Sequence, residues 1–130
     1  MIVVDTSALL AIALNEPRAK ACMDALAAAT EVSISAGTLA EALIVARRKG
    51  QGAELAETID TFGFTVVPLS EAAARRVADA YDLWGKGVHP AALNMGDCFA
   101  YALAKERNCP LLYVGNDFTQ TDVKGVVLSE

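Results

Sequence analysis

Short apolar runs rich in Val, Ile and Leu alternate along this chain with longer stretches whose apolar residues return every three or four positions. The first pattern is that of buried strands and the second that of amphipathic helices, so their alternation predicts an α/β domain with a mainly parallel sheet. The run Met1-Ile2-Val3-Val4 reads as a central strand covered on both faces, and it stops at Asp5. Thr6 and Ser7 are placed to cap a helix outlined by Ala8, Leu9, Leu10, Ile12 and Leu14, which is expected to end near Asn15 and Glu16. Pro17 can open the next helix, marked by Cys22, Leu26 and Ala29. Glu31-Val32-Ser33-Ile34-Ser35 alternates like a short strand, and Gly37 then breaks the chain. Thr38 is the expected cap of a third helix with Leu39, Leu43 and Ala46 inward, closed by Arg47, Arg48, Lys49 and Gly50.

Leu55, Ile59 and Phe62 mark a fourth helix. Phe64-Thr65-Val66-Val67-Pro68-Leu69 follows as a strand whose proline favours a strand end or a sheet edge. Ser70 caps a helix through Ala74, Val77, Ala78 and Tyr81, and Gly85 to Pro90 reads as a loop leading to a helix through Asp97 to Arg107. Leu111-Leu112-Tyr113-Val114 is a further buried strand, closed by Gly115-Asn116-Asp117, and Val126-Val127-Leu128 is expected as a last edge strand.

With 130 residues the chain suits a single domain, 1–130, burying about two thirds of its unfolded surface. Hydrophobic residues make up 54%, yet charges interrupt every run well short of the roughly 18 apolar residues of a membrane span. Asp5 inside the first apolar segment and the lack of a basic leader argue against a signal peptide, so a cytoplasmic location is expected. Cys22, Cys98 and Cys109 are odd in number and form no CxxC pair, which indicates neither a disulfide framework nor a zinc site. A net charge of −5 and a pI near 4.8 argue against broad, non-specific nucleic-acid binding. An acid cluster that holds cations contributes to that negative charge and can still face a phosphate.

On this scaffold Asp5 and Asp117 follow strands directly, while Glu41 and Asp97 fall in the first turns of helices, so all four can converge on one sheet edge. Each also has a purely structural reading. Asp5 suits a turn or cap, Thr38-Leu39-Ala40-Glu41 matches a capping box, Asp97 complements a helix dipole, and Gly115-Asn116-Asp117 is good turn chemistry. Four such anions on one edge repel one another unless a cation neutralises them, and oxygen-only ligands suit Mg²⁺ or Mn²⁺ better than zinc.

The order and spacing of these segments carry a resemblance. Val3-Val4-Asp5-Thr6-Ser7-Ala8-Leu9, Glu41, the stretch Leu93-Asn94-Met95-Gly96-Asp97-Cys98 and onward to Ala104, and Gly115-Asn116-Asp117-Phe118 with Thr121-Asp122 are similar to PIN-domain proteins. More narrowly they resemble VapC-type toxins of toxin-antitoxin pairs, over essentially the whole chain. The resemblance implies a three-layer α/β/α fold and a metal-dependent endoribonuclease, with tRNA a leading candidate substrate. It implies that Asp5, Glu41, Asp97 and Asp117 ligate one or two Mg²⁺ or Mn²⁺ ions that activate water for attack on an RNA phosphodiester. Asp122 is a candidate helper, and Thr6, Ser7 and Asn116 match positions that orient ligands, though each is as credible as a cap or turn residue. A homodimer and a cognate VapB-type antitoxin are the partners implied.

His89, the only histidine, lies in the Gly/Pro loop and suits loop fixing or substrate contact rather than general-base catalysis. Val88 stands where the family often has a basic residue, which weakens the case for RNA contact by that loop. Arg47, Arg48 and Lys49 can grip backbone phosphates or simply solvate a helix end. Two other readings stay open: a PIN-like binding module without catalysis that acts through a partner, and a metal-dependent phosphohydrolase of another α/β fold. Asp5-Thr6-Ser7 lacks the second acid two positions on that a haloacid-dehalogenase-like enzyme needs.

Overall fold

The computed structural model describes residues 1–129. They form strands β1 (Ile2–Val4), β2 (Val32–Ser35), β3 (Thr65–Val67) and β4 (Leu111–Leu112). The helices are α1 (Thr6–Ala13), α2 (Ala19–Ala28), α3 (Ala36–Arg48), α4 (Gly52–Phe62), α5 (Glu71–Trp84) and α6 (Met95–Arg107). The strands lie in the order β3-β2-β1-β4 and every pairing is parallel, with Ile2 opposite Val32, Val3 opposite Leu111 and Ser33 opposite Thr65.

Alternation along the strands splits the core into two. Ile2, Val4, Val32, Ile34 and Leu112 face one side, where they meet Leu9 of α1, Leu26 of α2 and Leu55 of α4. Val3 and Leu111 face the other side and meet Ala80 of α5, Ala100 and Leu103 of α6, and Phe118. A sheet with helices on both faces is the three-layer α/β/α arrangement, and burial on both sides explains why the central strand β1 and its neighbour β4 are continuous apolar runs. Val3, Val4, Leu111 and Leu112 are fully buried, each contributing about 2 kcal/mol by area removed from water.

Because the sheet is parallel, all four strands end at the same edge. There α1 follows β1 at once and α3 follows β2 at once, while α6 runs back toward the start of β4, which brings its own first turn to that edge. No helix among the described residues is long and apolar enough to cross a membrane.

Several local expectations are corrected. Asp5, not Thr6 or Ser7, is the N-cap of α1, and its carboxylate accepts from Ser7 N. That helix stops at Ala13 because Asn15 turns left-handed at φ 52°, and α2 begins at Ala19, two residues beyond Pro17. Helix α3 starts earlier than Thr38: Ser35 caps it by accepting from Gly37 N at 3.2 Å, so Gly37 is helical and there is no capping box between Thr38 and Glu41. Val126 to Leu128 form no strand. The tail makes one bridge, Gly125 beside Leu111, after which Val126 and Leu128 pack on the core while Val127 points to solvent. Their alternation marked burial without a backbone ladder.

Candidate active site

Four carboxylates from four separate segments meet at the carboxyl edge of the sheet. Asp5 sits at the β1–α1 junction, Glu41 on the second turn of α3, Asp97 in the first turn of α6, and Asp117 in the loop after β4. Each of the first three is oriented by a neighbour close to it in sequence or in space. Ser7 donates to Asp5 Oδ2 through its amide at 3.1 Å and its hydroxyl at 2.7 Å, and the same hydroxyl accepts from Val114 N at 3.0 Å. One serine thus ties Asp5 to the segment that leads to Asp117. Thr6, the first residue of α1, donates its hydroxyl to Glu41 Oε1 at 2.6 Å. Asp97 forms a capping box with Asn94: Asp97 N donates to Asn94 Oδ1 at 2.8 Å, and Asn94 N donates to Asp97 Oδ2 at 3.1 Å.

The charges are held close at some expense. Burial pushes the Asp5 carboxyl up to about 7; the two Ser7 hydrogen bonds oppose the rise, and the charges of Asp97 and Glu41 add to it. Burial likewise lifts Asp97 to about 6, against the Asn94 amide and with help from Asp117 and Glu41. Asp5 is 3% exposed, and its Oδ1 is buried without a hydrogen-bond partner. A buried oxygen of this kind is unfavourable by roughly 1 to 3 kcal/mol unless something donates to it or binds it. Among the described residues no three of these side chains close around a common point as a finished ligand cage. Asp97 and Glu41 are near enough to raise Asp5, and Asp117 and Glu41 to raise Asp97, and repulsion between uncompensated anions favours their standing apart. An all-oxygen donor set with one orphaned buried oxygen fits a hard divalent cation.

The remaining candidates fall elsewhere. Asn116 is exposed, and its backbone carbonyl accepts from Thr119 N and from the Thr119 hydroxyl, which makes it a turn residue. Asp122 stands apart from the four acids. Tyr101, one turn beyond Asp97, donates to Asp122 Oδ1 at 2.6 Å and accepts from Trp84 Nε1 at 2.8 Å, while Lys105 pairs with Asp122 Oδ2 at 3.1 Å. The Tyr101 and Lys105 contacts hold Asp122 below the ordinary carboxylate range, while burial and then the bond to Asp122 push Tyr101 up to about 12 against the opposing Trp84 N–H. His89 Nδ1 accepts from Ala91 N at 3.0 Å and its ring meets Trp84 edge-on at 4.7 Å, so it fixes its own loop. Arg47, Arg48 and Lys49 are exposed at the end of α3, about 10 Å beyond Glu41 along the helix. None of the three is in an ion pair among the described residues.

Sequence reasoning passed over Asn94, although its spacing three before Asp97 is a capping-box signal. It could not have found the Tyr101–Asp122 contact, which joins residues 21 apart.

Comparison with known proteins bears on the family and the fold. Residues 2–124 match the family model of the PIN domain. Ribonuclease VapC28 of Mycobacterium tuberculosis is 44% identical over 126 residues, covering 94% of this chain and 95% of that protein. Ribonuclease VapC36 of the same organism is 43% identical over 131 residues, covering 96% and 94%. Among solved structures, VapC20 of M. tuberculosis, described as a Sarcin-Ricin loop cleaving toxin, has a TM-score of 0.77 at 15% identity over 97% of this chain and 98% of its own. VapBC2 of Rickettsia felis, bound to a promoter DNA fragment, gives 0.72 at 16% identity over 99% and 100%. The chain belongs to the PIN-domain family and, within it, to the VapC-type ribonucleases of toxin-antitoxin systems.

Proposed function

We propose that this ribonuclease is a Mg²⁺- or Mn²⁺-dependent endonuclease whose substrate is a structured RNA, tRNA being the leading candidate. The observation that carries the reading is the meeting of Asp5, Glu41, Asp97 and Asp117 at one edge, with Asp5 Oδ1 buried and unpaired. A bound divalent cation supplies Lewis acidity toward phosphoryl oxygens and toward a nucleophilic water. Asp5, Glu41, Asp97 and Asp117 would hold one or two such ions. Ser7 keeps Asp5 oriented, Thr6 does the same for Glu41, and Asn94 for Asp97. With that chemistry supplied by the ion no protein nucleophile is required, and attack by water rather than by the ribose 2′-hydroxyl would leave a 5′-phosphate and a 3′-hydroxyl.

We further propose a cognate VapB-type antitoxin, a homodimer, and action in the cytoplasm. The VapC names of the 44% and 43% identical relatives support the antitoxin. Exposed apolar side chains on and beside α5, among them Leu83 at 58% and Met95 at 66%, support a protein contact on that side.

The test is a cleavage assay on cellular RNA with and without chelator, followed by mapping of the new ends. Cutting at few sites with 5′-phosphate ends is expected, abolished by chelator and by Asp5→Asn. The asparagine keeps the N-cap and removes a ligand charge. Cleavage that survives both treatments would sink the metal-dependent reading.

A further inference from the structure

Helices α3 and α6 cross with a glycine on each side of the contact. On α3, a side-chain carbon at Gly37 would lie 2.7 to 2.8 Å from the Phe99 ring of α6. On α6, a carbon at Gly96 would overlap the Glu41 carboxylate of α3, 2.6 Å from Cδ and 2.7 Å from Oε1, with Oε2 closer still. The two notches are reciprocal: each helix contributes one glycine and one large side chain, at positions 37 and 41 on α3 and 96 and 99 on α6. Gly96 is buried and helical and has no positive φ, so backbone conformation does not call for glycine there. Alanine would favour the helix. What stands in the way of alanine is the Glu41 carboxylate, which would have to shift.

We propose that Gly96 is a positioning residue, with Gly37 as its counterpart, whose missing side chain lets the Glu41 carboxylate rest against the first turn of α6 beside Asp97. The claim rests on the metal-site reading above for its functional meaning, though not for its geometry. Thr6 holds Oε1 of the same carboxylate, so Glu41 is confined from α1 on one side and by the Gly96 notch on the other. A methyl group at position 96 pushes it away from Asp97 and separates two of the ligands.

The experiment is a double-mutant cycle of Gly96→Ala with Glu41→Ala, read in two ways. The first readout is the melting temperature in EDTA. In the Glu41→Ala background the space is empty, and Gly96→Ala raises Tm by about 3 °C through helix propensity. In the parent the same change leaves Tm level or lowers it, because Glu41 must move. Equal shifts in both backgrounds overturn the proposal, and the double variant keeps the comparison available if Gly96→Ala alone folds poorly. The second readout is Mn²⁺ affinity from the free-ion electron paramagnetic resonance signal. Gly96→Ala weakens it by about tenfold or more, the usual scale for loss of ligand support, and weakens it no further once Glu41 is gone. An unchanged affinity in the Gly96→Ala protein overturns the positioning role. If the parent itself binds no Mn²⁺, the metal-site reading fails, and the EDTA cycle still decides whether Gly96 makes room for Glu41.

Discussion

Asp5 is asked to do two things that conflict. As N-cap of α1 it gains from being ionised, since its carboxylate accepts from Ser7, whereas burial beside Asp97 and Glu41 favours the protonated form and lifts it to about 7. The consequence for stability has a definite sign. In the unfolded chain the carboxyl ionises near 3.8, so between about pH 4 and 7 the folded protein holds a proton that the unfolded chain has lost. Stability of the metal-free protein is therefore greatest at the acid end of that window and falls as pH rises through 7, by on the order of 3 kcal/mol if Asp5 acts alone. Asp97, lifted to about 6, steepens the fall. Thermal melts in EDTA from pH 5 to 8 should show the decline. Asp5→Asn should flatten it, and millimolar Mn²⁺ should offset it at the alkaline end by binding the folded state. The same slope in parent and Asp5→Asn would mean that the conflict does not reside at Asp5.

Helix α3 shows how far local pattern reaches. Thr38 and Glu41 have the spacing of a capping box, but the helix starts three residues earlier, where Ser35 ends β2 and caps the amide of Gly37. Two overlapping start signals compete there, and the one adjoining the strand prevails. That frees Glu41 for Thr6 and leaves Thr38 fully buried with Oγ1 unpaired. Ser35→Ala should thus destabilise by about 1 kcal/mol. Thr38→Val, which replaces an unsatisfied hydroxyl by a methyl of the same shape, should be neutral or stabilising. Urea unfolding of both variants checks this, and a loss at Thr38 as large as at Ser35 would restore the capping box. The strands and helices themselves were legible because burial on one face or two leaves a period in the sequence. So was the common edge of Asp5, Glu41, Asp97 and Asp117, since Asp5 and Glu41 lie at or near strand–helix junctions, Asp117 follows a strand, and Asp97 opens the helix that leads back to the sheet. Contacts set by helix crossing, such as Gly96 under Glu41 and Tyr101 on Asp122, leave no such period. The tail at Val126 to Leu128 misled because alternation reports burial and not pairing.

A chain of net charge −5 whose proposed reaction centre is itself acidic must draw RNA by local features, because the long-range field repels phosphate. The exposed triplet Arg47, Arg48 and Lys49 is the obvious one: it ends the helix that carries Glu41 and is engaged in no ion pair among the described residues. An RNA strand laid over the four acids at the edge of the sheet would bring a phosphate about two helical turns away, beside the triplet. If the triplet grips the backbone there, Arg47→Ala with Arg48→Ala removes about two phosphate contacts. The slope of log K against log salt for single-stranded RNA then falls by about 1.4. Binding should weaken to a similar degree for every RNA sequence, since phosphate contacts position without specifying. The Mn²⁺-induced rise in melting temperature should stay as in the parent, because neither arginine touches the acids. Fluorescence anisotropy with a catalytically silent Asp97→Asn protein, titrated at several salt concentrations, measures the slope without cleavage. A slope equal to the parent's would assign these cations to the solvated end of α3 and move the RNA path to the other side of the acids, toward α5 and Lys86.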